Sequence, residues 1–335
     1  MLEKLHIETF TVFRYVDFDF VPGINVLVGA NATGKTHVMK LLYVMQKAQF
    51  SAQEGGQVVQ RLFDTFRPEN LEAFLHKGND SKTCGVMATW NGSSFAFSIQ
   101  TDDQNKFLLD NGVRWDKVGQ PVFIPVKDML AHSVGFMSLY DQRNIDFDET
   151  HRDILSLAFT PSLREGARGD IGPLLDRIAE QLEGHVEVKG ERFYLEGKNG
   201  RFEMHLVAEG WRKLALLYQL IANGSLNSGS VLYWDEPETN LNPSLMDEVI
   251  GILYDLARRG VQIFLSTHNY IILKELDLQK RAEDTLRLFA MERSKKDGSV
   301  TVHPANSYAE LHPNLIADQF ERIYDMEIKR ALGGE

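Results

Sequence analysis

A chain of 335 residues that is 43% hydrophobic and 25% charged has an ordinary globular composition, with room for about two domains or one domain with large insertions. It has no apolar run of the ~18 residues that span a membrane. Its one cysteine, Cys84, excludes an internal disulfide and any cysteine-rich metal site, and a reducing, cytoplasmic location fits. The formal net charge of −11 excludes a surface that wraps nucleic acid throughout, so any DNA or RNA contact is expected to be local, weak, nucleotide-gated or supplied by a partner.

The opening stretch Met1–His6 begins a strand rather than a signal peptide, and Leu5 to Phe20 alternates apolar and polar positions as one or two strands do. Arg14, or an aromatic beside it, would line the adenine–ribose side of a nucleotide, or is a plain edge-strand residue. Val21-Pro22-Gly23 turns into the apolar run Ile24–Val28. That run leads to Gly29-Ala30-Asn31-Ala32-Thr33-Gly34-Lys35-Thr36, which fits the phosphate-binding loop pattern G-x-x-x-x-G-K-[ST] in full. Helix-like spacing follows from His37 to about Gln49, so the motif has the strand–loop–helix context it needs. The glycines allow a tight turn in which several N–H groups face one phosphate, and the helix N-terminus adds partial positive charge. Lys35 would reach the β- and γ-phosphates and the Thr36 hydroxyl would sit on Mg²⁺.

Residues 51–60 read as polar and loose, and Arg61–Leu75 as helical, interrupted by Pro68. Thr83–Trp90 and Ser94–Gln100 flank Asn91-Gly92-Ser93 as a β-hairpin, with Cys84 a buried strand residue rather than a reactive thiol. Val122–Val126 is a short buried strand. Lys127–Glu183 is mainly helical, divided by Pro161 and the glycines at 166, 169 and 172. His185–Lys189 with Arg192–Glu196 is another hairpin, and Arg201–Val207 a further strand.

Glu209-Gly210 opens a helix that runs to Ala222. Ser230–Trp234 is a buried strand ending in Asp235-Glu236-Pro237-Glu238-Thr239-Asn240-Leu241-Asn242-Pro243, and the helix Ser244–Arg259 leads to the buried strand Val261–His268. This rhythm predicts a parallel sheet with helices packed on it. A helix from Tyr270 to Leu276, a hairpin (Leu286–Glu292 with Val300–His303) and a C-terminal helix of about 314–332 complete the chain. Beside a phosphate loop, the carboxylate of Asp235 would hold Mg²⁺ and that of Glu236 would orient or deprotonate the attacking water, unless the pair merely caps the next helix. His268 would lie near the γ-phosphate as a donor, or is an ordinary satisfied histidine.

Gly29–Thr36, Asp235–Pro243 and Ser266-Thr267-His268-Asn269 resemble the Walker A, Walker B/D-loop and H-loop of ABC-type ATPases, in the SMC/RecF/OLD-like branch. Ala208-Glu209-Gly210-Trp211-Arg212-Lys213-Leu214 resembles that branch's degenerate signature motif, and the opening strands resemble its first strands. The resemblance implies an α/β P-loop fold of ABC type: a mixed sheet flanked by helices, antiparallel hairpins near the N-terminal lobe and an inserted helical lobe. It divides the chain into 1–125, the first part of an ATPase head, 126–200, the inserted lobe, and 201–335, the second part of the head.

It further implies two heads closing around Mg-ATP, as a homodimer or higher oligomer. Gly29, Ala30, Asn31, Ala32, Thr33, Gly34, Lys35, Thr36 and His37 would bind nucleotide, joined across the seam by Gly210, Asn240 and Asn242 of the other copy. Thr36 and Asp235 would hold the metal, Glu236 would polarise water and His268 would sense the γ-phosphate. Two departures stand out. Ala208 replaces the signature serine, and Val126 and Lys127 stand where the family often has a glutamine that touches Mg²⁺. Hydrolysis is therefore expected to be slow or partner-triggered. The function expected is an ATPase that switches a separately encoded effector, a nuclease or toxin, in antiviral defence or DNA maintenance. A scaffold that binds ATP without using its hydrolysis, and a transporter ATPase subunit, are the competing expectations. No membrane partner is expected for the first two. The basic residues Arg61, Arg67, Arg164, Arg168, Arg212, Lys213, Lys295 and Lys296 would meet DNA or a partner, or simply form a solvated surface.

Overall fold

A six-stranded sheet carries the fold, ordered β14-β13-β3-β12-β11-β7. The computed structural model describes residues 1–51, 57–77, 81–101, 106–109, 115–142, 145–164 and 169–332. The parallel strands are β3 (Ile24–Gly29), β7 (Pro121–Ile124), β11 (Val231–Asp235), β12 (Gln262–Thr267) and β13 (Leu286–Arg293), with β14 (Val300–Ala305) antiparallel at the edge. The central strands β3, β11 and β12 are mainly apolar and buried because successive side chains enter opposite cores, as a sheet covered on both faces requires. Val26, Val28, Leu232, Trp234, Ile263 and Leu265 face one core, and Leu27, Val231, Tyr233 and Phe264 the other.

The second of those cores is closed by α1 (Lys35–Phe50), α2 (Gln57–Phe66) and a five-stranded antiparallel sheet. Its order is β2 (Phe13–Asp19), β1 (Leu2–Phe10), β4 (Thr83–Trp90), β5 (Ser93–Gln100) and β6 (Lys106–Leu109). The β4–β5 connection is the expected Asn91-Gly92 turn; both residues have positive φ, 46° and 75°, as a two-residue hairpin loop demands. Cys84 is buried on β4 and burial pushes its thiol up to about 12.

The first core is closed by α4 (Glu149–Ala158), α5 (Gly172–Gln181), α6 (Glu209–Ala222), α7 (Met246–Arg258) and α8 (Tyr270–Gln279). The stretch between β7 and α6 also holds α3 (Phe136–Asp141) and a three-stranded sheet of β8 (Gly184–Lys189), β9 (Arg192–Gly197) and β10 (Gly200–Glu203). The last helix is α9 (Leu315–Ala331).

Several boundaries differ from those expected of the sequence. Gln57–Gln60, expected to be loose, are the first turn of α2, while 52–56 lie outside the described residues, as do Gly166 and Arg168. The strand expected to reach Val207 stops at Glu203, and Met204–Leu206 tighten into a 3-10 turn that buries Met204 in the core. Pro243–Leu245 form a separate 3-10 turn before α7. The short strand β6 has no counterpart among the expected elements.

Candidate functional site

The carboxyl ends of β3, β11 and β12 meet at one edge of the sheet, where parallel α/β sheets bind their ligands. From β3 the chain passes through Gly29–Gly34 into α1. Ala32 and Gly34 have left-handed φ of 64° and 85°, so the loop curls back on itself. The Thr33 hydroxyl donates to the Ala30 carbonyl at 2.9 Å and closes the loop. A β-carbon on Gly34 would lie 2.6 Å from both Phe13 and Val12, which lets the β1–β2 turn press on the loop. Lys35, only 6% exposed, donates to the carbonyls of Gly29 and Ala30 at 2.8 and 3.0 Å. Burial lowers its pKa, with Glu236, Asp235 and Glu238 opposing that shift.

Asp235 ends β11 beside this loop. The Thr36 hydroxyl donates to its two carboxylate oxygens at 3.1 and 2.8 Å, and the Ser266 hydroxyl of β12 donates to Oδ1. Burial raises the Asp235 pKa, and these two hydroxyl donors hold it down. A buried carboxylate facing a threonine hydroxyl at the start of a phosphate-loop helix is the oxygen donor set that suits Mg²⁺, which takes few protein ligands and keeps waters and phosphate oxygens. The residues present therefore fit a Mg-nucleotide.

Glu236 has φ of +47°, a strained region for a side chain of its type. Two contacts hold it there. Its N–H donates to the carbonyl and hydroxyl oxygens of Ser266, at 3.2 and 3.1 Å. Below the turn, the buried ammonium of Lys213 on α6 donates to the carbonyls of Pro237 at 3.1 Å, Thr239, and Glu236 at 3.5 Å. The Glu236 carboxylate faces His268 Nδ1 at 3.2 Å and accepts from the Thr239 hydroxyl at 3.4 Å. His268 is itself positioned by Glu238, whose Oε1 accepts from the Thr267 hydroxyl at 2.7 Å and from the His268 N–H at 3.1 Å.

The structure thus brings the phosphate loop, Thr36, Asp235, Glu236 and His268 into one cluster. His37 sits one residue further into α1, with Nδ1 3.1 Å from the Thr11 hydroxyl and its ring edge-on to Phe66. Burial, with help from Lys40, lowers its pKa to about 4. Arg14 is not joined to this cluster. Strand alternation turns its exposed side chain away from the side on which Phe13 packs against Gly34.

Gly210, Asn240 and Asn242 form a second locus. They line a notch of about 300 Å³ with Ala208, Glu209, Trp211, Ser244 and Leu245. Asn240 Nδ2 donates to Glu209 at 3.0 Å, and Asn242 Oδ1 accepts from the Ser244 N–H at 3.1 Å, capping the turn that precedes α7. Ala208 occupies the cap position of α6 and supplies no side-chain cap. The first N–H groups of that helix are the kind that bind anions.

Three residues expected to be surface cations are not on the surface. Arg212 pairs with buried Asp128 at 2.7 Å, Arg61 with Glu149 at 2.9 Å, and Lys213 is the clamp just described. Burial lowers the Lys213 pKa. Arg67, Arg164, Lys295 and Lys296 are exposed. Ser266, Glu238 and Lys213 are the site residues to which the sequence alone assigned no role. The signal for the first two is a polar residue at the end of an all-apolar strand and an acid inside the Asp235–Pro243 motif. Lys213 lies inside the Ala208–Leu214 stretch, but nothing in that stretch marks it as the residue that holds the Glu236 turn.

Residues 100–274 match the family profile described as "AAA domain, putative AbiEii toxin, Type IV TA system". A 118-residue stretch is 28% identical to the energy-coupling factor transporter ATP-binding protein EcfA of Methanothermobacter thermautotrophicus, covering 35% of this chain and 36% of that protein. A 48-residue stretch is 42% identical to the DNA replication and repair protein RecF of Ligilactobacillus salivarius, covering 14% of this chain and 13% of that one. The chain therefore spans about a third or less of the length of these relatives. Among solved structures, an SMC head bound to the C-terminal winged-helix domain of ScpA superposes with a TM-score of 0.57 at 15% identity, over 92% of this chain and 98% of that one. The Pyrococcus furiosus SMC head with an extended coiled coil, bound to the C-terminal domain of ScpA, gives 0.54 at 11% identity, over 97% and 99%. The expected α/β head fold, with its mixed sheet flanked by helices and its antiparallel hairpins, is what the chain has, and it is the fold of these SMC heads. Among the described residues no helix is long and apolar enough to cross a membrane.

Proposed function

The chain belongs to the AAA-domain family whose profile it matches over more than half its length, and from that premise we propose that it binds and hydrolyses ATP between two paired heads and uses the cycle to switch an effector. The observation that carries the reading is the convergence of Lys35, Thr36, Asp235, Glu236 and His268 at one sheet edge. In this reading Gly29–Gly34 and Lys35 grip the β- and γ-phosphates, the ammonium exchanging its carbonyl partners for phosphate oxygens. Thr36 and Asp235 hold Mg²⁺, which when bound supplies charge neutralisation on the phosphates. Glu236 accepts a proton from the attacking water as the bond from the γ-phosphorus to the bridging oxygen breaks. His268, with Nδ1 directed at Glu236, leaves its other ring nitrogen for the γ-phosphate.

Gly210 at the start of α6, with Asn240 and Asn242, would meet the γ-phosphate of a second copy. Within each copy, Lys213 ties that helix to the backbone of Glu236 and Thr239, so closure on one site would be felt at the other. The missing cap hydroxyl at Ala208 and the absence of a glutamine at Val126 and Lys127 favour slow or partner-triggered turnover. EcfA is named an ATP-binding protein and RecF a DNA replication and repair protein; both names support this reading, RecF for DNA maintenance in particular. The family description, which names a toxin of a toxin–antitoxin system, supports a toxin role for the domain itself beside the switching of a separate effector.

The test is phosphate release by the purified chain with Mg-ATP, alone and with candidate effectors, beside Glu236→Gln. The variant is expected to bind ATP and to lose hydrolysis by roughly 10²–10⁴-fold. Equal rates for the two proteins would remove Glu236 from the chemistry. A wild-type protein that binds no ATP would end the reading altogether.

A further inference from the structure

Strand β7 ends at the same sheet edge as β3, β11 and β12. It runs parallel to β11, and their ladder closes with Ile124 beside Trp234. Asp235 and Glu236 therefore leave β11 where Pro125, Val126 and Lys127 leave β7. Lys127 is exposed, and its neighbours tie it to both sides of the site. On one side it lines a small crevice with Lys213, whose ammonium donates to the Glu236 carbonyl. On the other its own ammonium lies over the ring of Phe147, 4.6 Å from the centroid. The residue after Phe147 is Asp148, which pairs with Lys40, one turn along α1 from Thr36.

The other cations near this edge are engaged. Lys35 donates to the loop carbonyls, Lys40 to Asp148 and the Thr65 carbonyl, Lys213 to the carbonyls of the Glu236 turn, and Arg212 to Asp128. Lys127 has only the aromatic ring. Among the described residues no carboxylate or carbonyl accepts from it. A cation over an aromatic face at an exposed site is weakly held, so it is free to turn to a stronger anion. The site supplies the need for one. The carboxylates of Asp235, Glu236 and Glu238 already act on Lys35, and a triphosphate carries more negative charge than one Mg²⁺ cancels. A lysine ammonium is a point charge suited to a phosphate oxygen. We propose that Lys127 is a ligand of the γ-phosphate: it leaves Phe147 when ATP binds and donates to the terminal phosphate of the nucleotide held by its own copy. This rests on the ATP reading above. Where the resemblance calls for a glutamine that touches Mg²⁺, this chain places a cation for the phosphate itself. ADP has no γ-phosphate, so Lys127 sets the preference for ATP over ADP.

Isothermal titration of the full chain with Mg²⁺ tests it, using a non-hydrolysable ATP analogue and, separately, ADP. The wild type is expected to bind the analogue more tightly than ADP. Lys127→Met is expected to weaken the analogue by about 10–100-fold, the worth of one hydrogen bond to a charged group, and to leave ADP affinity unchanged. Lys127→Arg keeps the charge and is expected to keep most of the preference. Without nucleotide, Lys127→Met is expected to melt at the wild-type temperature, since the side chain is exposed. An analogue that binds Lys127→Met as tightly as wild type overturns the proposal and leaves the ATP reading standing. So does an equal loss for the analogue and for ADP, which would assign Lys127 to the site as a whole and not to the γ-phosphate. A wild type that binds neither nucleotide ends the ATP reading, and this proposal with it.

Discussion

Acidification from about pH 7 to about pH 5 is expected to weaken the fold through His37. Burial between the β1–β2 turn, Phe66 and Lys40 lowers this imidazole from 6.5 to about 4. The unfolded chain therefore takes up a proton at His37 in the window from 6.5 down to about 4, while the folded chain does not. Stability is complete above the upper value and is lost as pH falls through the window. With those two values, linkage gives a loss of about 2 kcal/mol between about pH 7 and about pH 5. The carboxylate Asp148 is held low in the fold by His151 and Lys40 against the penalty of its burial. Its contribution is lost only below the ordinary carboxylate range, so the two effects separate. The assay is urea unfolding across that pH range, for wild type and His37→Gln. Glutamine keeps a partner for the Thr11 hydroxyl and cannot be protonated. The pH dependence of the variant is expected to be shallower by about 2 kcal/mol. Parallel curves for the two proteins would refute a buried neutral imidazole at this position.

Removing the Lys213 ammonium with Lys213→Met leaves the carbonyls of Pro237 and Thr239 without their donor. It is expected to cost about 1–3 kcal/mol and to lower kcat more than it raises KM, with Lys213→Arg recovering part of both; equal stability by denaturant titration would show that the clamp does not hold the turn. Ser266→Ala removes a donor from Asp235 and an acceptor from the Glu236 N–H. The Asp235 pKa is then expected to rise further and Mg²⁺ to bind more weakly as pH falls, read by isothermal titration at two pH values; unchanged affinity at both would remove Ser266 from the metal site. Native Cys84, with its thiol at about 12, is expected to resist maleimide near pH 8 and to react only as the chain unfolds. Labelling as fast as that of a free thiol would contradict its burial.

The nucleotide half of the site was legible because its parts are contiguous in sequence. Gly29–Thr36 specifies its own backbone, and the all-apolar runs Val231–Trp234 and Ile263–Leu265 could only be strands buried on both faces. Asp235, Glu236 and His268 are marked by standing where those runs end. What holds them was not legible. Lys213 lies 23 residues before Glu236 and is one basic residue among many until α6 is laid against the turn, and Arg61 and Arg212 misled in the same way. Ser266 and Glu238 act across neighbouring strands, a relation that follows from sheet order rather than from local pattern. The misjudged boundaries have local causes: Met204 is pulled inward by the core, which turns a strand into a 3-10 turn, and β6 is four residues long. The period of α9 announced a helix, and only the fold shows that most of its apolar face stays exposed.

The proposed active site takes the phosphate loop of one copy and the signature helix of the other. Mixing two inactive proteins tests it. Lys35→Ala removes the phosphate grip, and Gly210→Glu places a carboxylate where the γ-phosphate of the other copy would approach. A β-carbon added at Gly210 comes no closer than 3.4 Å to its neighbours, so the fold should tolerate the change. In a mixed pair one site combines an intact Lys35 with an intact Gly210. Phosphate release is expected to be absent from each protein alone and to reappear on mixing. Silence at every mixing ratio, or full activity of the Gly210→Glu protein by itself, would contradict the account.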